Sequence, residues 1–167
     1  MEKEKFIIAV YVENKAGVLT RVTGMFTRRG FNIDSITGGK TELSEYSRIT
    51  ICLIGDAYEK EQMISQLKKL FVVKKVEVIE TDSVQRELML IKVKNMQENR
   101  GEIMTAVDVF RASVIDYSSE AMCIEVTGVP SKIDAFIKLM QPFGILEMCR
   151  TGIVALERGT KTLFSKE

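Results

Sequence analysis

The chain has 167 residues, of which 46% are hydrophobic and 28% charged, with a net charge of +1, the composition of an ordinary globular protein with one mid-sized domain or two of about 80 residues. The interspersed, nearly balanced charges remove the electrostatic case for nucleic acid or an anionic membrane surface, and no apolar run reaches the ~18 residues of a membrane span. Histidine is absent, which takes away the usual general base, the Ser-His and Cys-His nucleophile pairs and the commonest metal ligand.

Met1-Glu2-Lys3-Glu4-Lys5 leads straight into an apolar strand, with no secretory or transit pattern. Cys52, Cys123 and Cys149 are widely spaced and odd in number, as expected for buried thiols in a reducing compartment. A cytoplasmic location is the expectation.

Residues 6–12, FIIAVYV, are apolar on both faces, as in a central strand. Val18, Leu19, Val22, Met25 and Phe26 follow at helical spacing, and Gly30 after Arg28-Arg29 is a helix stop. A strand begins near Phe31 and runs to Gly38-Gly39, and the β-branched stretch 47–54, SRITICLI, forms the next. Asp56 with Glu59 reads as a capping box for a helix whose inner face is Met63, Ile64, Leu67 and Leu70. A strand at 72–79, VVKKVEVI, completes a βαββαβ unit.

The order then repeats. Residues 87–93, ELMLIKV, form a strand; Asn99 and Glu102 read as a capping pair for a helix lined by Ile103, Val107 and Phe110. Residues 113–117 and 121–127 read as a hairpin around Ser118-Ser119. Pro130 opens a helix with Ile133, Phe136, Ile137 and Met140 inward; Pro142 and Gly144 end it, and 145–156 supply the last strand. The expected fold class is α+β: two ferredoxin-like βαββαβ domains, residues 1–80 and 86–167, joined by a linker at 81–85. Because Ile7, Ala9 and Tyr11 alternate with Phe6, Ile8, Val10 and Val12, the first strand offers apolar side chains to the face that carries no helices. Such a patch on a lone domain predicts a homodimer.

The turn Glu13-Asn14-Lys15-Ala16-Gly17 leads into the first helix. The first N–H groups of a helix lack intrahelical partners and lie at the positive end of its dipole, a ready carboxylate site. Gly17 has no Cβ to obstruct a ligand, and the Asn14 amide can serve an ammonium and a carboxylate together. Asn32, opening the second strand, can offer the same from the opposite side. These groups suit a zwitterionic amino acid; the competing assignment makes Asn14 an N-cap, Gly17 a turn residue and Asn32 a strand cap.

The segment VENKAGVLTRVTGMFTRRGFNIDSIT, residues 12–37, resembles the ACT domain of the acetolactate synthase (acetohydroxyacid synthase) small regulatory subunits. It carries their E-N-x-x-G-x-L-x-R turn as Glu13, Asn14, Gly17, Leu19 and Arg21. Their F-x-x-R-G-[FY]-N-I-[DE]-S-[IL] motif stands from Phe26 to Ile36. The likeness continues through Ser47-Arg48-Ile49-Thr50-Ile51, the second-domain opening at 86–93 and Arg150-Thr151-Gly152, with Ala155-Leu156 and Arg158-Gly159 beyond. It implies a non-catalytic regulatory subunit with no cofactor of its own. Its partner is a large catalytic subunit that carries thiamine diphosphate, Mg²⁺ and FAD and condenses 2-ketoacids. The small subunit raises that activity and confers feedback inhibition by a branched-chain amino acid, valine foremost.

The resemblance also implies ACT domains paired side by side as a homodimer, with the effector held by Asn14, Lys15, Ala16, Gly17 and Val18 of one protomer and Asn32 of the other. The chain departs from the pattern at Thr37-Gly38-Gly39-Lys40-Thr41, where many members carry Val-Ala or Val-Gly; the glycines would loosen that side of the pocket.

Three other readings rank lower. A free-standing amino-acid-binding ACT module that regulates another enzyme or transcription is not excluded by the first domain alone, but the second domain's motifs count against it. The RNA-recognition use of the same scaffold needs stacking aromatics that SRITICLI lacks. A free-standing enzyme would need a titratable cluster; Asp116 with Tyr117, and Arg48 with Glu45, read as surface or turn residues.

Overall fold

The computed structural model describes residues 3–164. These divide into two compact units, residues 3–84 with 153–164, and residues 85–152.

In the first unit β1 (Glu4–Glu13), α1 (Val18–Arg29), β2 (Ile33–Lys40), β3 (Tyr46–Gly55), α2 (Ala57–Lys68) and β4 (Val73–Ile79) follow the expected order. The sheet runs β2-β3-β1-β4, antiparallel throughout, with Ile8 opposite Ile51 and Val10 opposite Val76. β1 is central because it is apolar on both sides. Phe6, Ile8, Val10 and Val12 meet Val22, Met25 and Phe26 of α1 and Met63 and Leu67 of α2.

Local chemistry sets the helix ends. The Glu59 backbone N–H donates to the Asp56 carboxylate at 2.9 Å and the Asp56 N–H to the Glu59 carboxylate at 2.9 Å, the reciprocal cap expected of that spacing. At the end of α1, Gly30 lies in the left-handed region at φ 71°. There its N–H reaches the Thr27 carbonyl at 3.2 Å, and the Phe31 N–H reaches that of Phe26 at 3.1 Å. This is a Schellman ending.

The second unit contains β5 (Val84–Lys94), α3 (Arg100–Val109), β6 (Ser113–Tyr117), β7 (Ala121–Gly128), α4 (Pro130–Met140), a 3₁₀ turn (Gln141–Phe143) and β8 (Ile145–Arg150). Its strands run β6-β7-β5-β8. Met89, Ile91 and Val93 form the sheet side of a core closed by Ile103, Val107, Ile133, Phe136 and Met140.

Four expectations are corrected. Asn99 does not cap α3: its backbone is already helical, at φ −101° and ψ −8°, and its side chain bonds no helix N–H. The linker is shorter than 81–85, because β5 starts at Val84. The final strand is broken at Gly152, whose φ of 81° is open to glycine without strain, and resumes as β9 (Val154–Leu156).

The fourth correction concerns the helix-free face of the first sheet. Ile7, Ala9, Tyr11, Cys52 and Ile79 are covered by Ile153, Ala155 and Leu163 of the chain's own C-terminal segment. The domain expected at 86–167 therefore gives up residues 153–164 to the first unit. That segment is a strap tied at its rim. The Arg48 guanidinium donates to the Ala155 carbonyl at 2.7 Å, the Glu80 N–H to the Glu157 carboxylate at 3.1 Å, and Arg158 pairs with Asp82 at 3.0 Å. The apolar patch from which a homodimer was expected is filled from within.

Candidate functional site

The β1–α1 turn is held from two sides, by the start of β4 and by the β2–β3 connection. The Glu13 N–H donates to the Val72 carbonyl at 3.0 Å, and the Asn14 N–H to that of Glu45 at 2.8 Å. The Asn14 amide donates to the Ser44 carbonyl at 3.0 Å and accepts from the Ser47 hydroxyl at 3.1 Å. Asn14 therefore braces the β2–β3 loop rather than capping α1, and retains one N–H and one lone pair for a ligand. Lys15 and Lys74 both pair with Glu13, at 2.9 and 2.7 Å. Hydrogen bonds from Lys74 and then Lys15 hold the Glu13 carboxyl at about 2, well below its ordinary value.

Gly17 occupies the N-cap position at φ 80°, without a side-chain cap. The Val18 N–H reaches back to the Lys15 carbonyl at 3.4 Å, whereas those of Leu19 and Thr20 have no partner among the described residues. A Cβ on Gly17 would meet nothing within 4 Å. Two free donors thus stand at the positive end of a 12-residue helix, with open approach and no carboxylate in the first turn. Val18 buries its side chain in the core, so only its backbone faces the turn; Ala16 is exposed.

Asn32 is exposed, immediately before β2, at the other end of α1. Twelve helical residues separate the two corners by about 18 Å. One chain does not bring Asn14, Gly17 and Asn32 around a single amino acid. β2 is the edge of its sheet and carries Gly38 and Gly39. A Cβ on Gly39 would meet nothing within 4 Å, and one on Gly38 would touch only Ile49, at 3.9 Å. Packing within the chain does not require either glycine; close approach by another backbone or a ligand would.

The lower-ranked candidate pairs do not assemble. Arg48 turns to Ala155, while Glu45 accepts from the Ser44 hydroxyl at 3.3 Å. Asp116 and Tyr117 stand opposite Cys123 and Met122 on alternate faces of their strand. Sequence reasoning missed Ser44, Ser47 and Lys74, which shape the turn from distant positions. Only the Glu13–Asn14 pair at the strand end hinted at them.

Two family models match: one described as an AHAS small subunit-like ACT domain, over residues 8–75, and one described as the small subunit of acetolactate synthase, over residues 86–159. A probable acetolactate synthase small subunit of Archaeoglobus fulgidus is 52% identical over 157 residues, covering 94% of this chain and 99% of that protein. The acetolactate synthase small subunit of Bacillus subtilis is 46% identical over 159 residues, covering 94% and 92%. The crystal structure of the Thermotoga maritima acetolactate synthase small subunit superposes with a TM-score of 0.88 at 42% identity, covering 95% of this chain and 99% of that one.

Proposed function

The chain belongs to the acetolactate synthase small-subunit family, a regulatory subunit with an ACT domain; on that premise we propose that it raises the activity of its large catalytic subunit and makes it subject to feedback inhibition by a branched-chain amino acid, valine first. The observation that carries the effector reading is the bare start of α1, where the unpartnered Leu19 and Thr20 N–H groups lie beside an unobstructed Gly17. A carboxylate placed there gains two backbone hydrogen bonds and the helix dipole.

Side-by-side pairing of two ACT domains along the open β2 edges would bring Asn32 of the partner subunit to the corner that its own chain cannot reach. The sparse surroundings of Gly38 and Gly39 support that approach. An amino acid bridging the two protomers then favours one arrangement of the pair over another. A coupling of ~1–3 kcal/mol to the large subunit would be reciprocal, so that subunit alters effector affinity by the same factor. On this reading thiamine diphosphate, Mg²⁺ and FAD would belong to the large subunit.

The test is calorimetric titration with valine, leucine and isoleucine, with and without the large subunit, for wild type and Gly17→Asp. The variant places like charge and bulk where the effector carboxylate would lie, and forces a side chain into a left-handed backbone. Loss of binding and inhibition with activation retained is the expected result. Unchanged valine binding in the variant would move the site away from this turn.

A further inference from the structure

A second cleft, about 500 Å³, lies on the helix-free side of the first sheet, beneath the strap. Its apolar wall is Ile79, Leu163 and Phe164, with Tyr11 closing the inner end; the Tyr11 and Phe164 rings meet edge to face at 5.0 Å. Its polar lining carries both signs. Arg48 is half-buried, and burial pushes its guanidinium below its ordinary range. Yet no carboxylate lies within ion-pair distance of it among the described residues, and only the Ala155 carbonyl takes one of its five N–H donors.

Glu42 and Glu157 also line the cleft without an ion pair, although each raises the affinity of Arg48 for its proton from a distance. Glu42 accepts from the Tyr11 hydroxyl at 3.2 Å, and Glu157 from the Glu80 N–H. Lys161, which also faces the cleft, is paired with Glu80. Exposed Lys40 stands at the rim. A half-buried cation with carboxylates near it but none bonded to it keeps part of its desolvation cost. A ligand of one sign would face repulsion from the other half of the lining. A ligand carrying both signs, with an apolar body, satisfies all three sets of groups.

We propose that this cleft is a second amino-acid site, in which Arg48 takes the α-carboxylate, Glu42 and Glu157 take the α-ammonium, and Ile79, Leu163 and Phe164 take an aliphatic side chain. It is distinct from the effector turn, because none of Asn14 to Val18 lines it. Occupancy joins the sheet, through Arg48, Glu42 and Ile79, to the strap, through Glu157, Leu163 and Phe164. The ligand therefore holds the strap down by mass action.

The test is amide hydrogen exchange on the whole chain with valine, leucine or isoleucine, and with 3-methylbutanoate and isobutylamine, which each lack one charge. The expected result is slowed exchange across residues 153–164 with at least one amino acid, by about 100-fold at 100 times its Kd, and little slowing with either single-charge compound. Protection should persist in Gly17→Asp and vanish in Arg48→Gln. Glu42→Gln with Glu157→Gln keeps the hydrogen-bond acceptors while removing both charges. It should also remove protection, and guards against a strap that fails to dock in the arginine variant. Strap exchange unmoved by all three amino acids in wild type, or slowed equally by the single-charge compounds, overturns the proposal. Amides 17–21 report separately on the effector turn, so failure of one site is not mistaken for failure of the other.

Discussion

Arg150 sits at the end of β8, where the chain leaves the second unit. Its guanidinium makes two parallel bonds to Glu87, at 2.7 and 2.8 Å, and a third to Asp134 at 2.9 Å. The Glu87 side chain is only 4% exposed and that of Arg150 31%. The pair raises the affinity of the guanidinium for its proton, Glu87 being the main cause. Arg150→Met keeps the length of the side chain and removes every donor, leaving a buried carboxylate uncompensated. Removal of one partner of such a pair costs ~3–5 kcal/mol. The low end, about 3 kcal/mol, is expected here because water reaches the outer third of Arg150. Replacing both, as Glu87→Leu with Arg150→Met, removes the stranded charge and should return stability to within about 1 kcal/mol of wild type. Native-state hydrogen exchange at Ile91 and Ile124, in the core of this unit, reads its opening free energy. A single variant within 1 kcal/mol of wild type, or a double variant as unstable as the single, would refute this account of the clamp.

Two further outcomes follow from groups already described. Glu13, held at about 2 by Lys74 and Lys15, should remain ionised in a carboxyl NMR titration where ordinary glutamates protonate. Its pKa is depressed in the folded state, so its contribution to stability is present above the unfolded-state value near 4.5 and is lost as pH falls toward 2. Lys74→Gln should move its midpoint upward, and an unmoved midpoint would deny the assigned cause. The three thiols should react with an alkylating reagent in order of access. Exposed Cys149 comes first, then half-buried Cys123; Cys52, buried and with its thiol pushed up to about 11 chiefly by burial, reacts only on unfolding. Rapid labelling of Cys52 in the folded protein would mean that the strap does not seal its face.

What could be read from the sequence follows from how local each determinant is. The Asp56–Glu59 cap and the Gly30 ending are decided within a few residues, and both stand as their spacing predicts. The double-sided apolarity of β1 was equally legible, and it did signal a covered face. It carried no information about what covers it, because Ile153, Ala155 and Leu163 lie more than 140 residues from Ile7. At the β1–α1 turn, Gly17 was legible as a residue with no Cβ to obstruct an approaching ligand, and the structure leaves that space open. The bracing of Asn14 was not legible, since its partners Ser44 and Ser47 belong to another loop. Asn99 misled for the same local reason that made Asp56 reliable: the spacing was right, but a preceding turn had already wound its backbone into helical geometry.

The strap makes the first unit discontinuous along the chain, and this has a consequence for its synthesis. Residues up to 84 leave the ribosome with every strand of the sheet made, but the segment that covers Ile7, Ala9, Tyr11, Cys52 and Ile79 emerges only after the whole second unit. At ~5–20 residues per second, roughly 70 intervening residues take about 4–14 s. For that interval the nascent sheet presents a bare apolar face, a surface open to chaperones and to neighbouring nascent chains on the same message. A fragment ending at Val84 would keep that bare face permanently, and its self-association would report the missing strap.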